Sequence, residues 1–273
     1  IDHSGYLPIL VRDGFKGPVY CTEATKDLCG ILLPDSAHIH EEDAERANRH
    51  GYTKHKPALP LYTGEDAEAA LKHLRAVEFG KDYALPGDIL TFSMSRAGHI
   101  LGAASVISDG QTSLVFSGDL GRPHDPVICA PAHIQEADYL VLESTYGDRT
   151  HDPGDPLDRL ESIINETAAR GGTVVIPAFA VGRAQGILYY LHELKAARRI
   201  ADLPVYLDSP MAINVTKLLK KHSSEHRLSA QKCGAVCGGT FYTQTPEQSK
   251  AIYAKNNGVP CIIVSASGMA TGG

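Results

Sequence analysis

Histidine and aspartate recur in this sequence beside glycines, a pairing that lets a polar side chain reach into a cleft. Asp2 and His3 open the chain, His99 stands in Gly98-His99-Ile100-Leu101-Gly102, and Asp119 stands in Ser117-Gly118-Asp119-Leu120-Gly121. The last two each follow a stretch that reads as a strand, at bends where glycine allows the backbone to approach a ligand closely. Imidazole and carboxylate are the donors of a hydrolytic zinc centre. Taken singly each signal is weak, because 13 histidines are present and an aspartate after glycine is commonly only a turn residue. Their succession in one chain carries the weight.

Other residues invite weaker readings. Arg183 follows Gly182 at an expected helix start, where backbone N–H groups and the helix dipole favour an anion. Its guanidinium fork suits a phosphate, and an ion pair with Asp208 accounts for it equally well. His38-Ile39-His40 looks like a chelating pair, but on a helix two residues apart point about 200° away from each other, which gives a solvated face instead. Cys233 and Cys237 have four-residue spacing and no second Cys/His pair, so they read as partly buried thiols. The cation groups Lys195–Arg199 and Lys217–Lys221 read as solvated helix ends, with a phosphate-tracking groove as the alternative. Ser209 lacks a Ser/His/Asp setting, and Ser209-Pro210 reads as a helix start.

The elements that must position these groups alternate between short apolar strands and amphipathic helices, an α/β layered pattern. Pro18–Thr22 reads as a strand, Glu23–Leu32 as the start of a helix, and Ser36–Lys56 as exposed helix and loop. Thr63-Gly-Glu-Asp66 caps a helix expected over Ala67–Val77. Strands follow at Ile89–Ser95, Ala103–Ser108 and Ser113–Ser117, the last two joined across Asp109-Gly110 as a hairpin, and another at Asp138–Leu142. The Pro/Gly/Asp-rich segment His151–Pro156 places a domain boundary there, giving domains 1–154 and 155–273. Beyond it come helix Leu157–Ala169, strand Thr173–Ile176, helix Arg183–Ala197, strand Pro204–Leu207, helices Ala212–Lys221 and Glu247–Asn256, and strand Cys261–Val264. Such an alternation implies parallel crossover units.

Composition bounds the answer. With 26 Lys+Arg against 32 Asp+Glu among 273 residues, the net charge of −6 excludes a protein coated in basic charge, so any nucleic acid must be held by a local site or a metal. The longest apolar run, Val174–Val181, is interrupted by Pro177 and falls short of the roughly 18 residues of a membrane span. Six sparse cysteines point to reduced thiols and a cytoplasmic setting.

Further motifs follow in order: Leu142-Glu143-Ser-Thr-Tyr-Gly-Asp-Arg149, Ile176-Pro-Ala-Phe-Ala-Val-Gly-Arg-Ala-Gln185, Tyr206-Leu-Asp-Ser-Pro-Met-Ala212 and Ser265-Ala-Ser-Gly-Met-Ala-Thr-Gly-Gly273. Together with Asp2-His3, Gly-His-Ile-Leu-Gly and Ser-Gly-Asp-Leu-Gly-Arg122, the series resembles the β-CASP branch of the metallo-β-lactamase fold over essentially the whole chain. That branch holds the RNA-cleaving subunits of mRNA 3′-end processing and their bacterial and archaeal relatives. The resemblance implies an incomplete αββα metallo-β-lactamase sandwich in 1–154 with most of an inserted β-CASP α/β domain in 155–273.

It also implies two zinc ions. Asp2-His3 looks like the end of a His-x-His-x-Asp-His motif whose first histidines are expected just before Ile1. By the same resemblance Asp2 and His3 bind one metal, His99 the other, and Asp119 bridges both. Asp2 and Glu143 take catalytic roles, with Glu143 orienting a histidine expected a few residues beyond Gly273. Arg183, Ser267 and Gly268 are assigned to RNA phosphates. The activity implied is RNA phosphodiester hydrolysis by a metal-activated hydroxide, endonucleolytic or 5′-exonucleolytic, with RNA as partner, a homodimer as a compatible assembly, and no membrane. A chain carrying only His99 and Asp119 for one ion is expected to bind metal weakly and to be inactive by itself, and its unpaired sheet edges invite aggregation. Two other readings stand beside this one: a non-catalytic RNA-binding scaffold subunit, against which the matching ligands count, and a small-molecule metallo-hydrolase, against which the residues beyond Asp155 count.

Overall fold

A computed structural model describes residues 2–87, 90–255 and 259–267. The first third is built on a long helix. After α1 (Leu7–Arg12) and β1 (Val19–Thr22), helix α2 runs over Glu23–His50, capped by the Thr22 hydroxyl and ended by Gly51 at φ 66°. The two helical stretches expected on either side of Leu33 are thus one element, continuous through Pro34. The left-handed C-terminal residue is a conformation glycine adopts without strain.

Helix α3 (Gly64–Leu71) opens with the expected capping box, Thr63 and Asp66 each bonding the other's backbone. It stops earlier than the spacing of apolar residues predicts. Residues Leu74–Val77 form strand β2, parallel to β1, with Leu74 opposite Val19 and Val77 opposite Thr22. Leu74 and Val77 bury against the pair, and His73 O accepts from Val19 N at 2.9 Å. Apolar spacing of three fits a helix face and this strand alike, and pairing with β1 decides between them.

Strands β3 (Tyr83–Ala84), β4 (Thr91–Arg96), β5 (Ala104–Asp109), β6 (Leu114–Phe116) and β7 (Tyr139–Val141) form one sheet in that order. The expected strand start at Ile89 lies outside the described residues. The hairpin across Asp109-Gly110 forms, with Ser108 opposite Leu114. β4, β5 and β6 are antiparallel while β6 and β7 are parallel. β4, β6 and β7 therefore run the same way and deliver the residues after them to one edge of the sheet.

Helix α4 (Pro156–Ala169), β8 (Val174–Ala178), α5 (Arg183–Ala196), β9 (Val205–Asp208) and α6 (Pro210–Lys221) follow in alternation. A short turn of helix at Ser223–Glu225, α7 (Ala230–Gly238), β10 (Phe241–Tyr242), α8 (Pro246–Lys255) and β11 (Ile262–Ala266) complete the chain. The second sheet, ordered β10-β9-β11-β8, is parallel throughout, as crossover units require. Ile262, Ile263 and Val264 are fully buried at its centre, the run of apolar residues that a strand covered on both faces needs.

The two halves share a core. Ala24 and Leu28 of α2 pack with Leu101, Val127 and Ile128 against Val215 and Leu219 of α6 and Cys233 and Cys237 of α7. Polar contacts follow the same seam: Asp27 accepts from Lys221 and meets the buried His222, each at 2.6 Å. Arg227 N donates to Val127 O at 2.8 Å, and its guanidinium reaches the carbonyls of Pro123 and Ile128.

Candidate metal centre

The shared edge of β4, β6 and β7 gathers three of the candidate residues. β4 leads into the loop of His99, β6 into Asp119 and β7 into Glu143. Two loop-to-loop contacts set their spacing. Gly121 N donates to Ala97 O at 2.8 Å, and a Cβ on Gly121 would collide with Gly98 O. Gly98 itself has φ 70°, and a Cβ there would lie 2.6 Å from Pro131 N. Only glycine permits this proximity of backbones, so the glycines flanking His99 and Asp119 bring those two side chains together.

His3 arrives from the chain's opening turns. Its Nε2 lies 3.2 Å from Asp119 Oδ2, and His99 Nε2 lies 3.9 Å from the same oxygen. Asp2 Oδ2 is 3.6 Å from His3 Nε2. Donor atoms of Asp2, His3 and Asp119 all fall within 4.8 Å of one another. Two imidazoles and two carboxylates thus converge with Asp119 Oδ2 at the middle. This is a nitrogen and oxygen donor set suited to zinc or a similar first-row divalent cation, so the residues present fit a metal centre.

Glu143 closes the same edge. Its N–H donates to Ser117 Oγ at 3.0 Å, and its carboxylate accepts from Leu120 N at 3.1 Å and Thr145 N at 3.0 Å. The N–H of Thr145, then that of Leu120, hold the Glu143 carboxyl below its ordinary value, with the charge of His99 a smaller contribution. Hydrogen bonds to the ionised form have this effect.

The remaining candidates sit on the second sheet. β8 and β11 are neighbours, with Ala178 opposite Ala266, so Ser267 and the turn leading to Arg183 lie at the same carboxyl edge of parallel strands, where α/β sheets bind ligands. Gly268 lies outside the described residues. Arg183 is exposed at the first turn of α5 and forms no ion pair among the described residues. The alternative partner Asp208 instead accepts from Ser249 Oγ at 2.7 Å. Gly182, φ 81°, would place a Cβ 2.8 Å from Ile100 Cγ2 and 4.0 Å from His99 O, so the start of α5 abuts the His99 loop. Arg183 and Arg122 both act on Tyr190, whose phenol is raised chiefly by burial.

His38 and His40 face different partners, Glu42 at 3.3 Å and Ser36 Oγ at 3.2 Å. Ser209 caps α6, its Oγ accepting from Ala212 N. Among the described residues the six cysteines form no disulfide.

Sequence reasoning missed the surroundings of Gly102. Its carbonyl accepts from the hydroxyls of Thr22 and Thr25, and its N–H donates to the carboxylate of Glu225. Thr22 was read only as the end of a strand, and Glu225 ends a single turn of helix too short for any spacing to mark it.

Residues 184–273 match the family described as Beta-Casp domain. Over its full length the chain is 37% identical to Ribonuclease TTHA0252 of Thermus thermophilus, covering 60% of that protein. It is 32% identical to Transcription termination factor FttA of Methanocaldococcus jannaschii, covering 42% of it, and 31% identical to Probable RNase MJ4 of the same organism, covering 60%. The chain thus spans about half of the length of the curated relatives it matches.

Proposed function

The chain belongs to the β-CASP branch of the metallo-β-lactamase fold, and on that premise we propose that it serves a zinc-dependent ribonuclease that hydrolyses RNA phosphodiester bonds. The observation that carries this reading is the convergence of His3 and His99 on one oxygen of Asp119, at 3.2 and 3.9 Å. Two relatives are named ribonuclease or RNase, which supports the substrate class. Asp2 and His3 would hold one zinc ion, His99 the second, and Asp119 both; with only His99 and Asp119 for that second ion, the chain by itself falls short of the four donors zinc prefers.

When bound, the two ions supply Lewis acidity that polarises the phosphate and lowers the pKa of attacking water. The chain's own residues do the rest. The Asp2 carboxylate would accept the proton given up by the attacking water, and Asp119 lies between the two histidines. Glu143, kept ionised by the N–H groups of Thr145 and Leu120, holds the end of β7 against the Asp119 loop and offers its remaining lone pairs to a proton-donating group. Arg183 and Arg122, with the N-terminal N–H groups of α5, bind phosphates flanking the scissile one. Ser267, at the carboxyl end of β11, would extend that phosphate track.

We assign the domain boundary to residues 154 and 155, with Asp155 capping α4, so that RNA enters between the two parts. Cytoplasmic RNA is the fitting substrate of such an enzyme; among the described residues no helix is long and apolar enough to cross a membrane.

The test compares the intact protein with Asp119→Ala, measuring zinc by mass spectrometry and cleavage of a labelled single-stranded RNA. Loss of both cleavage and bound zinc is expected in the variant. Cleavage at the wild-type rate would reject Asp119 as the shared ligand.

A further inference from the structure

The loop that carries His99 is held from outside its own sheet. Gly102 N donates to Glu225 Oε2 at 2.5 Å, across 123 positions of sequence. On its other side, Gly102 O accepts from Thr22 Oγ1 at 2.9 Å and Thr25 Oγ1 at 3.0 Å. With φ 77° and Thr25 N only 2.5 Å from where a Cβ would stand, the loop end is clamped on both peptide faces.

Glu225 is 8% exposed, and its partner is a backbone amide rather than a cation. A buried side-chain acceptor is costly unless its hydrogen bonds are made. Its position is set by the first half of the chain as well: Glu225 O accepts from Cys129 N at 3.2 Å, Ser224 O from Arg96 at 3.4 Å, and His226 pairs with Ile128 as an antiparallel bridge. Without the second half, Gly102 N would lose this acceptor.

We propose that Glu225 is a positioning residue for the metal centre: its carboxylate fixes the backbone of Gly98–Gly102 so that His99 faces Asp119. The centre's geometry then depends on the second half being docked on the first. This rests on the ribonuclease reading above.

The test uses the intact protein in three variants. Glu225→Asp withdraws the acceptor by one methylene and keeps the charge. Glu225→Gln keeps an oxygen able to accept from Gly102 N. Asp27→Asn weakens the same seam at Lys221 and His222 without bonding the loop. Glu225→Asp is expected to lower kcat on single-stranded RNA about ten- to a hundredfold with KM unchanged, the scale of a small misplacement. It is also expected to speed amide exchange in the 98–102 peptide and to release zinc to a chelator sooner. Glu225→Gln should match the wild type in all three, and Asp27→Asn should lower the melting temperature while leaving them unchanged.

Wild-type kcat and loop exchange in Glu225→Asp would overturn the proposal, as would an equal loss of kcat in Asp27→Asn. Should the wild type itself fail to cleave RNA, the ribonuclease reading falls, while loop exchange and zinc release still decide the role of Glu225.

Discussion

Glu143 shows how much one side chain's role depends on its hydrogen bonds. Its carboxyl lies below the ordinary range because N–H groups of Thr145 and Leu120 favour the ionised form. The stability it contributes is therefore fully present above the ordinary carboxylate pKa of about 4 and is lost as pH falls through its lower folded value. Glu143→Gln should melt below the wild type near neutral pH, and the gap should close as pH falls below the ordinary carboxylate range. Melting curves across that range check it, and a constant gap at all pH values would contradict the assignment. His99 and Asp119 were legible in the sequence beside their glycines, and Asp2 and His3 through their place in the order of motifs. Glu225 was not, since nothing near it in sequence marks a carboxylate that bonds an amide 123 positions away.

At the level of elements, the loops after β4 and β6 depend on glycine. Gly98 combines φ 70° with a backbone contact that a Cβ would violate. A non-glycine residue held in the left-handed region costs about 1–3 kcal/mol, and the contact with Pro131 adds to it. Gly98→Ala should therefore lower stability by at least that range and weaken zinc binding together; thermal unfolding and a zinc titration on the intact protein check the pair. Strand and helix positions were mostly readable, most clearly at Ile262–Val264, where burial on both faces of the second sheet leaves a continuous apolar run. The exception is Leu74–Val77. Its apolar spacing satisfies a helix, and only the pairing of Leu74 with Val19 makes it a strand. Helix α1 and the two-residue strands β3 and β10 were also unread, being too short to show a period, and α7 was unread as well.

For the molecule as a whole, the junction between halves is built around apolar packing of α2 on α6 and α7. Leu219 is 1% exposed within it. Leu219→Ala should cost about 2–5 kcal/mol, the range for a buried leucine that leaves a cavity; a denaturant titration checks it, and a change below that range would mean the seam repacks. The opposite margin of the first sheet is bare. Tyr139, Leu140, Val141 and Leu142 are each more than half exposed, and successive strand residues face opposite sides, so both faces of β7 lack cover.

The sequence by itself determined the alternation of strands and helices, the glycine-flanked bends and the order of motifs, since these follow from local φ/ψ preferences and the period of apolar residues. Only the tertiary structure decided that His3 and His99 meet at one oxygen of Asp119, that Leu74–Val77 is a strand, and that Glu225 holds the loop of His99. Those contacts join residues far apart in the chain: the first two form within the first half, and the last exists only once hydrophobic burial along α2, α6 and α7 has brought the two halves together.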